Sequence, residues 1–356
     1  MKKLAVLSFA FLTLAACSSD NNSYIEPITP PSSGTTFGTT ENPLNVGGAN
    51  QHNNVYVDLS GEVAADVARD AWDLGFYSGS DFRVVVNGSL AMAAKQLTTS
   101  DITAVVAADA TVAVGTFQAS NLAFIDSPTG SLDATAFGTI ATSEAAAKVY
   151  LVNLGLSVPT GTVGAGSANT AGPARGWKKV KVWQDANGYK LQFANLDATT
   201  ATTVSIAKDA AYNHIFFNLT TGAEVKAEPQ KANWDLNFST FTNEVFDGTE
   251  SAGAYFYADF VLTNTKAGVT AVKVQGDRAA YTAFSKAAYD SGNYTFSTDQ
   301  RSIGADWRDV FTRVVFDKVF FLVKDGDGNI YKVKFISMVS STGERGFPVF
   351  EYELLK

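Results

Sequence analysis

The sequence predicts a mainly β protein, with antiparallel sheets in two related units and few short helices. Three observations predict it. Apolar and polar residues alternate with period two, turn-forming clusters separate the alternating runs, and one ordered set of strand landmarks occurs twice. Val, Thr, Tyr and Phe, all strand formers, dominate these segments, and aromatic residues make up 12% of the chain.

The alternation comes first. Lys178-Lys179-Val180-Lys181-Val182-Trp183 sets Val180 and Val182 on one face and lysines on the other, and Asn329 to Phe335 alternates likewise. Tyr255 to Leu262 is more uniformly apolar, which predicts a strand buried on both faces. Asp185-Ala186-Asn187-Gly188 and Asp325-Gly326-Asp327-Gly328-Asn329 read as hairpin turns. Clustered alanines predict a helix over Asp277 to Ala288 and a second near Ser143 to Lys148.

The landmarks come next. Val55-Tyr56-Val57-Asp58-Leu59-Ser60-Gly61 leads to Ala71-Trp72-Asp73-Leu74-Gly75-Phe76. Ile215-Phe216-Phe217-Asn218-Leu219-Thr220-Thr221-Gly222 leads to Asn233-Trp234-Asp235-Leu236-Asn237-Phe238. Tyr189-Lys190-Leu191-Gln192-Phe193 and Tyr331-Lys332-Val333-Lys334-Phe335 close the two series. The chain of 356 residues therefore divides into repeat 1, residues 55–206, and repeat 2, residues 207–356. Repeat 1 carries a glycine-rich excursion from Leu156 to Pro173, expected to be flexible, that repeat 2 lacks. Trp72 and Trp234 are expected to plug equivalent cores. Asp73 and Asp235 would bond to nearby turns, with Phe76 and Phe238 on the opposite strand face.

The N-terminus supplies the address. Lys2 and Lys3, an apolar run from Leu4 to Leu14 and small residues before Cys17 describe a secretory signal over residues 1–16. Leu14-Ala15-Ala16-Cys17 is similar to a bacterial lipobox, so Cys17, the only cysteine, is expected to be lipidated. Acyl chains contribute about 0.8 kcal/mol per buried methylene, which anchors the protein stably. Ser18 after the cysteine favours an outer-membrane lipoprotein, and Ser18-Ser19-Asp20 is similar to a surface-export tag. Residues 17–54, rich in Asn, Ser, Pro, Thr and Gly, are expected to form a disordered tether with His52 at its end.

Charge and motifs exclude most chemistry. Removing Lys2 and Lys3 takes 27 bases to 25 against 35 acids, a net charge of −10. Nucleic acid is therefore excluded as a partner. His52 and His214 are the only histidines, and no Gly-x-Ser-x-Gly elbow occurs, which argues against a serine or cysteine hydrolase. No His/Cys pair has zinc spacing. Asp325, Asp327 and Asn329 imitate half a calcium loop, but Ile330 and Ile336 stand where glycine and a bidentate acid are needed. The glycines between 161 and 172 match no phosphate-binding fingerprint. No enzyme is expected.

The two Trp-Asp-Leu strands, Tyr331-Lys332-Val333-Lys334-Phe335 and the tail Gly343-Glu344-Arg345-Gly346-Phe347-Pro348-Val349-Phe350-Glu351-Tyr352-Glu353-Leu354 resemble the HmuY family, haem-binding lipoproteins of Bacteroidetes. The resemblance covers most of residues 55–356. It implies an all-β fold, haem as cofactor, no turnover, and delivery of haem to a TonB-dependent outer-membrane receptor. It also implies two axial side chains on the iron, histidines or methionines. No histidine follows either Trp-Asp strand here. The candidates for iron are Met92 in a run of small residues, Tyr77 as a phenolate, Met338 and His214. A glycan-binding or adhesin role on the same scaffold is the alternative, with Tyr255, Tyr257 and Tyr294 as stacking platforms.

Overall fold

The computed structural model describes residues 30–115 and 119–356. The signal segment, Cys17 and the start of the expected tether lie outside the described residues. Two five-stranded sheets are built alike. One runs in the order Thr202–Ala207, Gly188–Ala194, Trp177–Asp185, Val149–Asn153, Ala93–Gln96. The other runs Thr36–Phe37, Arg345–Leu354, Ile330–Val339, Val319–Lys324, Thr270–Gln275. Neighbours in both are antiparallel. The turns form where the sequence places them. Asp185 pairs with Gly188, and the Asp325 carboxylate accepts the Asp327 and Asn329 amides at 3.0 and 2.8 Å. That carboxylate is spent on its own turn.

Two four-stranded sheets face these, and each is made from both repeats. Leu74–Tyr77 and Val84–Val86 of repeat 1 join His214–Asn218 and Ala223–Val225 of repeat 2, with His214 opposite Tyr77. Asn53–Asp58 and Val63–Ala68 of repeat 1 join Leu236–Asp247 and Glu250–Thr263 of repeat 2, with Leu236 opposite Val57. Each repeat thus gives its aromatic hairpin to the partner's Trp-Asp strand.

The inward faces make two cores. Leu74, Phe76, Val84 and Phe217 pack on Val152, Val180, Tyr189 and Leu191. Val55, Val57, Leu236 and Phe238 pack on Phe321, Val333, Phe335 and Phe350. Phe76 and Phe238 hold matching places. Pro31–Lys356 is one compact unit, so residue 207 marks no division of the body. Period-two patterns give strands but not partners, so the exchange between the repeats emerges only in the fold.

The structure corrects several expectations. From Pro31 on, the tether belongs to the body: Thr36 and Phe37 pair with Glu351 and Phe350, and Phe37, Leu44 and Val46 enter the core. His52 follows it there and sits 2.9 Å from the Pro159 carbonyl through Nε2. The Leu156 to Pro173 excursion is pinned to both repeats, its Thr170 carbonyl accepting from Arg69 and its Gly166 amide donating to the Gly343 carbonyl. Lys179, Lys181, Lys332 and Lys334 are buried, because loops and, over Lys332, a short helix cover the second faces of the large sheets. The Lys179 ammonium donates to the carbonyls of Ala104 and Ala198, both at 2.6 Å, its stem lying on apolar surface.

Tyr255 to Leu262 is not buried throughout, Tyr255 being 51% exposed, because Glu250–Thr263 runs along a sheet edge. The alanine-rich segment splits into helices Arg278–Ala283 and Lys286–Ser291, capped by Asp277 and Ser285. Near Ser143 a single turn forms, Ala147 donating to Ser143, before the chain enters the strand Val149–Asn153. Among the described residues no helix is long and apolar enough to cross a membrane.

Candidate functional site: a polar cavity between the repeats

Both Trp-Asp strands open with one local device, and each time it reaches into the other repeat. The Asp73 amide donates to the Phe217 carbonyl at 2.9 Å and the Asp235 amide to the Val57 carbonyl at 2.7 Å. Asp73 Oδ2 accepts the Leu219 amide at 2.7 Å, and Asp235 Oδ2 accepts the Leu59 amide at 2.8 Å. The preceding tryptophan lies just before the strand and packs on the face of Gly75 or Asn237, opposite Leu74 or Leu236. Trp72 meets Phe216 edge-on with centroids 4.5 Å apart, and Trp234 meets Tyr56 edge-on at 5.0 Å. Two asparagines complete the match. Asn87 Nδ2 donates to the Arg69 and Trp72 carbonyls, and Asn264 Nδ2 to those of Lys231 and Trp234.

Trp72, Phe216 and Asn87 of one set and Trp234, Tyr56 and Asn264 of the other line a cavity of about 170 Å³. The loop from Asp126 to Thr135 crosses one side. Asp126 holds it by accepting the Val86 and Ala136 amides at 2.7 and 2.9 Å. Gln300 ties it to repeat 2 by donating to the Pro128 carbonyl, and Lys266 donates to the Gly130 carbonyl at 3.3 Å. Ser131, on the same loop, is the exposed rim.

Charge is concentrated here. Glu228 Oε1 accepts the Asn213 and His214 amides, both at 2.9 Å. Burial pushes the Glu228 and Asp126 carboxyls up to about 7, against the opposing pull of those amide bonds. Burial also lowers the Lys266 ammonium, despite Glu228 and Asp126 nearby. Burial, helped by Lys266, holds the His214 imidazolium pKa well below its usual value, so the ring is neutral at pH 7.

Four polar atoms on these walls have no hydrogen-bond partner in the protein: Trp72 Nε1, Trp234 Nε1, His214 Nε2 and Asn237 Oδ1. Their residues are only 8 or 9% exposed. Buried polar groups are normally paired, and an orphan costs about 1–3 kcal/mol. Four at one cavity make it the candidate binding site.

The structure brings together some of the predicted residues and not others. His214, Met92, Trp72 and Trp234 line the cavity. Met92 is fully buried and also belongs to the core of Leu74 and Phe76. Tyr77 stands across the ladder from His214, ring centroids 5.7 Å apart, outside the lining. Met338 is core, in the other sandwich. Tyr255 and Tyr257 pack edge-on at 5.0 Å on the long hairpin, and Tyr294 stacks on Tyr289 at 5.8 Å, both away from the cavity. Sequence reasoning missed Asn87, Asn264, Asp126, Glu228, Lys266 and Asn237. Of these only Asn237 sat inside a quoted landmark, as the counterpart of Gly75.

The enclosed part of this cavity is smaller than a porphyrin, so haem held at His214 would extend past the rim. A space of about 150 Å³ takes a benzene-sized guest, and drug-sized ligands need roughly 300–1,000 Å³. A porphyrin is larger than the space beside His214, while Met338 and Tyr77 face elsewhere. Among the described residues no group of three or more His, Cys, Asp or Glu is placed to hold a metal ion.

Comparison with protein families matches the model described as HmuY protein over two stretches, residues 50–207 and 210–352. Neither the comparison with curated proteins nor that with solved structures returns a match. The two matched stretches coincide with the two interlocked repeats, and together they span most of the sequence: the chain belongs to the HmuY family, with its unit present twice.

Proposed function

We propose that the protein is a lipid-anchored capture protein of the bacterial outer membrane, one that binds its ligand without turnover and passes it on. The observation that carries this reading is the cavity between the repeats, walled by paired aromatics and holding four unpartnered polar atoms. Family membership supports binding without turnover. The lipobox at Cys17 supports the anchor.

Haem is the ligand that family membership puts forward, and delivery to a TonB-dependent receptor is the step it implies. One residue supports that finer reading: neutral His214 offers an unpartnered imidazole nitrogen. The volume beside it opposes full enclosure of haem in the cavity. A haemin titration of the mature protein, read by absorbance, decides the matter. A saturable Soret shift that His214→Ala abolishes would support haem on His214. A flat spectrum at excess haemin would remove haem and leave capture of a smaller guest.

A further inference from the structure

The two tryptophans set the terms. An indole Nε1–H can only donate, so Trp72 and Trp234 each require an acceptor that the protein does not supply. Asn237 Oδ1 requires a donor, and His214 Nε2 takes either role according to tautomer. A fitting guest therefore carries at least two acceptors and one donor, spread over a single ring, since the cavity measures about 170 Å³. Around the polar atoms lie flat or apolar surfaces from Tyr56, Phe216, Phe241 and Leu262.

Charge narrows the class. Asp126 and Glu228 stand on the wall, with Lys266 as the only cation lining it among the described residues. An anionic guest would meet two acids against one base. A simple cation would be drawn by the two acids but would leave both indole N–H groups without an acceptor. A neutral guest meets neither penalty.

We propose that the cavity between the repeats binds a neutral, polyhydroxylated single-ring guest, a sugar of monosaccharide size. Each hydroxyl offers one donor and two acceptors, which answers both indoles and Asn237 at once, while the C–H faces of the ring lie on the aromatic walls. The sugar enters past Ser131, the exposed residue of the rim. This inference rests on the capture reading but not on haem, and a sugar titration reads heat where a haemin titration reads a Soret band.

Isothermal titration of the mature protein with D-glucose, D-galactose, D-mannose and N-acetyl-D-glucosamine tests it, with sulfate and pyruvate as anionic controls. At least one neutral sugar should bind at one site per chain and change the tryptophan fluorescence. Trp72→Phe and Trp234→Phe, which keep a plane and remove the donor, should each weaken binding about tenfold. Asn237→Leu, similar in size, should do the same and serves where a tryptophan variant fails to fold. The proposal is overturned if no sugar gives saturable heat, as for a cavity holding only water. It is also overturned if an anion binds more tightly than every sugar, or if folded variants bind the sugar as the parent does.

Discussion

The Asp73 carboxylate accepts the Leu219 amide at 2.7 Å, a bond that runs from repeat 1 into repeat 2. Asp235 returns it through the Leu59 amide at 2.8 Å. The two bonds are equivalent in geometry but not in surroundings. Arg175 pairs with the other oxygen of Asp73 at 2.7 Å, whereas Asp235 makes no ion pair among the described residues.

That difference predicts unequal costs. Asp73→Ala orphans a buried amide and strips the mostly buried Arg175 of its counter-charge, leaving it only the Leu154 carbonyl at 2.9 Å, and should cost about 3–5 kcal/mol. Asp235→Ala orphans only the Leu59 amide and should cost about 1–3 kcal/mol. Urea unfolding at constant m separates the two. Equal losses would show that the ion pair contributes nothing.

Glu228 predicts a pH dependence. Its carboxyl is held at about 7 in the fold, above its ordinary value of 4.5. The folded chain therefore keeps its proton longer than the unfolded chain. Stability linked to this group is complete below about pH 4.5 and falls as pH rises to about 7. Glu228→Gln can still accept the Asn213 and His214 amides but has no charge to bury. Its Tm should gain on the parent between pH 5 and pH 8, and a constant Tm gap would contradict this. Neutral His214 acts in the opposite sense in both proteins, its contribution being lost as pH falls through its unfolded value of 6.5.

Lys179 predicts a large effect at a lysine. Lys179→Met keeps the stem but strands the Ala104 and Ala198 carbonyls, at a cost of about 1–3 kcal/mol. Lys190→Met, whose ammonium meets Ser205 at the surface, should stay within about 0.5 kcal/mol. Similar losses from the two would refute the burial of Lys179.

The duplicated order of landmarks made the β class and the matching cores legible, because alternation and turn residues act locally. Trp72 and Trp234, expected to plug the two cores, line the cavity instead, because which side of the sheet they meet depends on the partner strand. Strand exchange was not legible. Asn53–Asp58 pairs as well with a Trp-Asp strand from either repeat as far as period two can tell, so the partner is a tertiary fact. The buried lysines were hidden likewise, since Lys-Val-Lys reads as a solvated face until a loop covers it. At the cavity, Glu228 and Asp126 were unremarkable acids. They matter because folding brings residues from opposite repeats to one wall. Phe37 escaped notice because a lone aromatic among prolines and glycines has no period.

The central claim is that the repeats complete each other, and the cavity exists only because they do. Producing residues 31–207 and 208–356 separately and together, and following each by near-ultraviolet circular dichroism and urea unfolding, tests it most directly. Either half alone should lack fixed aromatic signals and a cooperative transition, and the two together should yield a one-to-one complex that unfolds in a single step. A half that folds cooperatively as a monomer would contradict the account.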